Sequence, residues 1–379
     1  MRFPEFEDEW EKKKFSKYIK LFRGSSPRPI VKFITKDENG VNWIKIGDTK
    51  NTDNSIINNV EEKITIEGAR KSRKVTNGEL ILANSMSFGK TYQLSIDGYI
   101  YDGWFVLREY ENYFEKSFLL QLLNSDYLQK QYKRLSAGGV VQNISSEIVY
   151  ETILIRPSLQ EQKKISSFLS LIDENITTQK KIILNYESLI QSFRDDLLKQ
   201  KIRFKDESGN NYPDWEKIKL EEVCEKQSSN ISANKIEDNF GEFPIYGATG
   251  FLKNIDFYEV ETDYIAIIKD GAGVGRLFLC SGKSSVLGTL DIITPKNINL
   301  YFLYCLLSNI NFDKYSTGST IPHIYFKDYK KEFCMTPCIE EQTKIADFLS
   351  KISDKIETEK KILELLEQQK KYFLQNMFI

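Results

Sequence analysis

The sequence predicts a mixed α/β protein: two similar α/β globular domains in tandem, each followed by a long helix. The two helices are expected to form an antiparallel coiled coil with pseudo-two-fold symmetry. Three observations lead there. A proline-led motif recurs at an offset of 180 residues. Each copy opens an unbroken run of about 40 residues with helical apolar spacing. Upstream of each run lie short β-rich segments and one amphipathic helical stretch.

The motif is explicit. Pro157-Ser-Leu-Gln-Glu-Gln-Lys-Lys-Ile165 matches Pro337-Cys-Ile-Glu-Glu-Gln-Thr-Lys-Ile345. The register continues through Phe168-Leu169-Ser170 and Phe348-Leu349-Ser350, then Ile172 and Ile352, Ile176 and Ile356. Lys180-Lys181-Ile182 answers Lys360-Lys361-Ile362, and upstream Gly138 and Ile144 answer Gly318 and Ile324. A gapless register of this length marks two copies of one unit. The starts correspond loosely: Phe3-Pro4 leads to Trp10-Glu11, and Tyr212-Pro213 leads to Trp215-Glu216. The expected boundaries are 1–156 and 205–336 for the globular domains, 157–204 and 337–379 for the helical segments.

In chain order, the first half offers β-rich runs at 41–46, 80–83 and 103–107, then a helical stretch at 117–135. The first long helix follows Pro157, just ahead of a helix, where proline is tolerated. At 1.5 Å per residue it reaches ~60 Å, longer than globular helices usually run, so it needs a partner. Position a holds Ile165, Ile172, Gln179, Tyr186 and Phe193; position d holds Phe168, Asn175, Ile182, Leu189 and Asp196. The second half has strands at Tyr264–Ile268 and 290–294, a glycine-rich turn at 271–275 and a helical stretch at 300–315. The second helix repeats the seam, with Ile345, Ile352, Glu359, Leu366 and Phe373 at a and Phe348, Lys355, Ile362, Gln369 and Asn376 at d. Polar residues at seam positions cost stability but fix alignment. The expected pairing residues are therefore Ile165, Phe168, Ile172, Ile182 and Leu189 with Ile345, Phe348, Ile352, Ile362 and Leu366. The alternative is that each helix packs on its own globular half.

Composition excludes several classes. The chain has 379 residues, 41% hydrophobic and 28% charged, which suits a folded rather than a disordered protein. The longest clean apolar run, 300–307, falls short of the ~18 residues that span a bilayer. The start, Met1 to Trp10, is acidic and has no apolar signal region. Five cysteines without such a signal read as reduced thiols, and the expected compartment is the cytoplasm. Net charge is −1: residues 1–157 carry 24 Lys+Arg against 21 Asp+Glu, residues 201–336 carry 16 against 19. Any basic surface must therefore be a local patch.

The chain reads as non-catalytic. Its single histidine, His323, leaves one triad arrangement and no multi-histidine metal site. Cys334 and Cys338 lack a second ligand pair nearby. Gly271-Ala-Gly-Val-Gly275 lacks the spacing of a dinucleotide loop, and Gly282-Lys283-Ser284 lacks the earlier glycine of a phosphate-binding loop.

These features resemble type I restriction–modification specificity subunits over the whole chain. The resemblance rests on the two P-x-x-x-E-Q-x-K-I-x-x-F-L-S helices, Trp43-Ile-Lys-Ile-Gly-Asp48, Phe88-Gly-Lys90, Phe243-Pro-Ile-Tyr-Gly-Ala-Thr-Gly250 and Leu365-Leu-Glu-Gln-Gln-Lys-Lys371. It implies two target recognition domains, each reading one half of a split DNA site, spaced by antiparallel helices. It implies two methyltransferase (M) subunits as partners, which hold S-adenosylmethionine, and restriction/translocase (R) subunits that join them. No cofactor, metal or membrane contact is implied for this chain, and no catalysis. The chain departs from the family in starting almost directly at Phe3-Pro4, which puts contacts by an N-terminal arm in doubt. The rival readings are a methylation-only complex, a coiled-coil protein scaffold without DNA selectivity, and an enzyme with an unrecognised site.

On that reading, phosphate contacts supply affinity and base-edge contacts supply sequence choice. The candidate DNA-binding residues in the first half are Arg23, Ser25, Arg28, Arg70, Lys71, Arg73, Lys74, Asn84, Ser87, Lys90, Arg134 and Gln142. Those in the second half are Tyr246, Thr249, Lys269, Arg276, Ser316, Thr317, Ser319 and His323. Lys90 and Arg276 follow Phe88-Gly89 and Val274-Gly275 and are expected in equivalent places.

Overall fold

The structure, a computed structural model, describes every residue except 51, 53–54, 86–88, 137–142, 319 and 379. It divides into two compact units, residues 1–181 with 360–379, and residues 182–359.

In the first unit the strands are β1 (Glu11–Lys14), β2 (Lys20–Arg23), β3 (Ile34–Thr35), β4 (Val41–Ile44), β5 (Ile56–Ile57) and β6 (Glu62–Ile64). They continue with β7 (Arg73–Val75), β8 (Leu80–Ala83), β9 (Thr91–Leu94), β10 (Gly98–Ile100), β11 (Trp104–Arg108) and β12 (Ile153–Arg156). One sheet has the order β2-β11-β8-β9-β5, a second β3-β6-β4-β10-β7, and β1 pairs with β12. The helices are α1 (Ile66–Ala69), α2 (Lys116–Asn124), α3 (Asp126–Leu135), α4 (Ser146–Glu151) and the long α5 (Leu159–Leu198), which from Ile182 onward belongs to the second unit.

The second unit repeats the plan with fewer strands among the described residues. It contains β13 (Glu216–Lys219), α6 (Leu220–Val223), β14 (Cys224–Ser228), β15 (Phe243–Gly247), β16 (Gly250–Ile255) and β17 (Tyr264–Ile268). After these come β18 (Leu277–Cys280), β19 (Ser285–Val286), β20 (Leu290–Pro295), α7 (Leu300–Ser308), α8 (Phe326–Tyr329), β21 (Phe333–Thr336) and the long α9 (Ile339–Met377). Its sheets run β14-β20-β17-β18 and β16-β15-β19, and β13 pairs with β21. The central strands β8 and β17 are buried at every residue, so they read as continuous apolar runs rather than alternating ones.

Strand register makes the correspondence residue-specific. Leu107 opposite Leu80 answers Ile293 opposite Ile265, and Gly98 opposite Val75 answers the isolated bridge of Ser284 with Val260. The amide of Ile144 donates to the Asn84 carbonyl at 2.8 Å, and that of Ile324 to the Lys269 carbonyl at 3.0 Å.

Two expected helical stretches are interrupted. Residues 117–135 form α2 and α3, broken at Ser125, which is extended and turns its hydroxyl onto the Leu122 carbonyl at 2.6 Å. Residues 300–315 form α7 and a separate 3-10 turn at Phe312–Tyr315, where the Asn311 side chain accepts from the Asp313 amide at 3.1 Å. In both, a short polar side chain competes for the backbone bonds a continuous helix needs.

The long helices pair antiparallel in each unit. In the first, Phe168 of α5 meets Phe373 of α9 with ring centroids 4.9 Å apart, Lys180 lies 3.6 Å from Glu367, and Lys370 pairs with the buried Asp173. In the second, Phe193 of α5 meets Phe348 of α9 at 5.1 Å. Each helix also packs on its globular half: Ile165, Leu169, Ile172 and Ile176 belong to the main core of the first unit.

The heptad reading needs correction at two pairing positions. Ile165, Ile172 and Ile345 are buried, whereas Leu189 is 42% and Ile362 38% exposed. The buried residue is Ile190 beside the first, and the partly buried core neighbour is Leu363 beside the second. A helix with 3.6 residues per turn drifts about 20° per heptad; after two or three heptads the seam passes to the next residue. Phe168, Ile182, Phe348, Ile352 and Leu366 are partly buried.

The repeated Glu-Gln pair closes the base of each unit. Gln162 donates to the Pro157 carbonyl at 2.9 Å and accepts from the Glu115 amide at 2.8 Å; Gln342 does the same with Pro337 at 2.8 Å and Asn299 at 2.9 Å. The starts of the two units correspond differently from the expected Phe3-Pro4 with Tyr212-Pro213. Arg2-Phe3 answers Arg203-Phe204: Phe3 packs edge-on to Phe168 at 5.9 Å, and Phe204 to Phe348 at 5.7 Å.

Candidate nucleic-acid interface

Two loops occupy the same place in the two units. After β8, residues 84–90 return to β9; after β17, residues 269–276 return to β18. The Ala83 amide donates to the Lys90 carbonyl at 2.9 Å, and the Ile268 amide to the Arg276 carbonyl at 3.0 Å. The Gly89 amide returns to Ala83 and the Gly275 amide to Ile268, both at 2.9 Å. Gly89 (φ +72) and Gly275 (φ +84) are left-handed, and a Cβ on either would meet a packed aromatic: Tyr132 or Phe312, each at 2.6 Å. These glycines set where Lys90 and Arg276 emerge, and both of those side chains are exposed. Their equivalence is visible in the sequence.

Other candidates are engaged internally. Asn84 is buried and donates to the Asp102 carbonyl at 2.9 Å. Its equivalent, Lys269, places Nζ 3.0 Å from the buried Asp291, which Lys226 also approaches at 3.8 Å. His323 pairs through Nδ1 with Asp270, while its backbone exchanges bonds with Thr317 and the neighbouring Pro322 carbonyl accepts from Gly271 at 2.9 Å. Thr317, Pro322 and His323 are thereby docked on the 269–276 loop.

Asp102 organises the corresponding corner of the first unit. The Ser26 hydroxyl, and then Arg28 and Arg23, hold its carboxyl below the usual range. Arg28 is exposed 3.6 Å from that carboxylate, and Arg23 donates to the Asp102 carbonyl at 3.2 Å. Ser25, Arg70, Lys71, Arg73 and Lys74 come together around one groove of about 490 Å³. Arg108 at the end of β11 lines it too. Sequence reasoning misses Arg108 because only strand pairing brings it to this cluster.

Arg134 is exposed in the last turn of α3. Tyr246 packs against Phe251 on the smaller sheet, with Thr249 exposed in the turn beyond it. Ser316 and Thr317 are exposed. Ser87, Gln142 and Ser319 lie outside the described residues.

Among the described residues no cluster of His, Cys, Asp or Glu has the makings of a metal site. Burial pushes the Cys224, Cys280 and Cys305 thiols up to about 12, far from a nucleophile's range. No helix among the described residues is long and apolar enough to cross a membrane.

Comparison with known proteins agrees with this geometry. The family model described as "Type I restriction modification DNA specificity domain" matches residues 7–186 and 212–368. The Escherichia coli type I restriction enzyme EcoDI specificity subunit is 30% identical over 164 residues, covering 43% of this chain but only 36% of that protein. The Methanocaldococcus jannaschii type I restriction enzyme MjaIX specificity subunit is 23% identical over 375 residues, covering 87% of this chain and 83% of that one. The crystal structure of the type I restriction–modification S subunit from M. genitalium superposes with a TM-score of 0.61 at 17% identity, covering 99% of this chain and 97% of that one. A chain from a structural study of type I system assembly and conformational transition gives 0.59 at 16% identity, covering 98% and 97%. By family model, relatives and fold, the chain belongs to the type I restriction–modification DNA specificity family and is a specificity subunit.

Proposed function

We propose that the chain reads an asymmetric, bipartite DNA sequence with two target recognition domains, residues 1–156 and 205–336, spaced by the helical segments 157–204 and 337–379. It performs no chemistry itself. It acts in the cytoplasm with two methyltransferase subunits, which hold S-adenosylmethionine, and with restriction/translocase subunits that join them.

The observation that carries this reading is the pair of equivalent loop closures, at Ala83 with Gly89-Lys90 and at Ile268 with Gly275-Arg276, made by the same backbone hydrogen bonds and carrying different side chains. One scaffold with divergent loops suits one task on two different half-sites. Lys90 and Arg276 reach DNA directly, as do the exposed side chains of Arg28 and Arg134 in the first unit and Thr249, Ser316 and Thr317 in the second. Asn84, Lys269 and His323 hold the reading loops in place. Major-groove half-sites about one turn, ~34 Å, apart suit two readers on a fixed spacer.

Methylome sequencing of the host with and without this gene tests the reading. The expected result is loss of one split, asymmetric adenine-methylation motif. An unchanged methylome rejects it. Loss of the motif without the gene, in a host that with the gene does not restrict incoming DNA, assigns the chain to a methylation-only complex. Lys90→Ala and Arg276→Ala should each weaken binding to the cognate duplex; unchanged affinity across a salt titration rejects those two assignments.

A further inference from the structure

We propose that the groove between β2 and β7 of the first unit is a phosphate clamp. It grips the DNA backbone without reading bases, and the second unit has no equivalent among the described residues. The proposal rests on the DNA-reading function above and assigns this groove a task distinct from that of the reading loops.

The groove is a built feature. Its cationic walls are Arg70, Lys71, Arg73, Lys74 and Arg108, with Ser25 at the rim; Lys71 is paired with Glu67 at 3.1 Å, outside the lining residues. Arg73 donates Nε to the Arg23 carbonyl at 3.1 Å. Arg108 donates Nε to Glu79 at 2.7 Å and Nη2 to the Lys74 carbonyl at 3.3 Å. Both guanidinium groups lie over the Phe22 ring, at 5.7 and 5.6 Å. Two arginines are thus held in place by a shared aromatic ring, a carboxylate and backbone carbonyls. A guanidinium fixed in this way loses little further freedom when it meets an anion.

The donor set selects the ligand. Guanidinium and ammonium groups donate and never accept. Base edges present mixed donors and acceptors, whereas a phosphate backbone presents acceptors at regular spacing. A wall of cations on rigid strand ends fits the backbone.

Register shows that the feature belongs to one unit alone. With Val75 matched to Val260 and Leu107 to Ile293, Arg73 corresponds to Tyr258, Lys74 to Glu259 and Arg108 to Thr294, whereas the pairing of β6 and β16 with their neighbours matches Ile64 to Ile255, so the α1 turn that carries Arg70 and Lys71 has no counterpart among the described residues. None of the three counterparts is a cation, and Glu259 is acidic. Strand β7 itself shrinks there to a single bridge.

The test uses the full-length chain with its co-expressed methyltransferase subunits, and two labelled duplexes of equal length, one carrying the methylome-defined site and one random. Arg70→Gln and Lys74→Gln alter exposed side chains; Arg73→Gln/Arg108→Gln removes the Phe22 pair, with circular dichroism as a folding control. For every phosphate released from the clamp, the slope of log affinity against log salt should fall by roughly 0.9. Affinity for both duplexes should fall by the same factor, and the methylated motif should not change. An unchanged slope in Arg70→Gln and Lys74→Gln overturns the clamp, as does an altered motif, which would make these residues base readers. Loss of methyltransferase co-purification at unchanged slope overturns it in favour of a protein interface. If the unsubstituted complex does not prefer the site duplex, the DNA-reading function fails instead.

Discussion

The Glu341 carboxylate, fully buried near the start of α9, is gripped by Arg203: Nε lies 3.1 Å from one oxygen and Nη2 2.8 Å from the other. The Trp215 indole adds a third bond at 3.0 Å. Arg2 and Trp10 hold Glu161 in the same way in the first unit, at 2.7, 2.9 and 3.2 Å. This is why the repeated motif keeps its glutamate. It ties each unit's first segment to its long helix, and the bond to Glu341 holds the Arg203 guanidinium above its ordinary pKa.

Removing one member strands a buried charge. Arg203→Met should therefore destabilise the chain by about 3 kcal/mol or more. Adding Glu341→Met should recover much of the loss, because no lone charge then remains. Urea unfolding followed by tryptophan fluorescence measures both; a single substitution with no effect would mean the clamp is incidental.

The helix seam is testable at adjacent residues. Ile190 is buried and its neighbour Leu189 exposed. Ile190→Ala should cost about 2–4 kcal/mol and Leu189→Ala under about 0.5 kcal/mol. The reverse order of unfolding midpoints would restore the strict heptad.

At the reading loops, Gly89→Ala and Gly275→Ala place a Cβ against Tyr132 and Phe312 in a left-handed backbone. Each should cost about 1–3 kcal/mol and lower cognate-duplex affinity as the loop shifts. Thermal melts and binding titrations check the two effects separately. Full retention of both would show that the loops adapt freely.

Acid stability should depend on Glu11. Lys13 above all, then the Tyr18 hydroxyl and Arg156 opposite it on β12, hold its carboxyl at about 2, below an ordinary 4.5. A folded-state value below the unfolded one means the ionised form favours folding. The contribution is complete above about pH 4.5 and is lost as pH falls toward 2. In Glu11→Gln the unfolding midpoint should fall less steeply across that window than in the unsubstituted chain. Superimposable pH profiles would count against it.

Much of this architecture is legible in the amino-acid order. The offset of 180 exposes the duplication because each copy must satisfy the same contacts: Glu161 and Glu341 with arginine and tryptophan, Gln162 and Gln342 with a helix start. The equivalence of Lys90 and Arg276 is readable from the glycine that precedes each. Local features of this kind survive in sequence because a single backbone conformation or buried charge dictates the residue.

What only the tertiary structure decided depends on distance along the chain. Arg108 joins Arg73 over Phe22 through strand pairing that spans more than 80 residues, and no local pattern records such a meeting. Likewise Asn84, Lys269 and His323 look like free polar donors in sequence, yet Asp102, Asp291 and Asp270 turn them inward. Periodicity and spacing report what neighbours along a helix or turn require; which polar group reaches water is set by the partners that folding brings beside it.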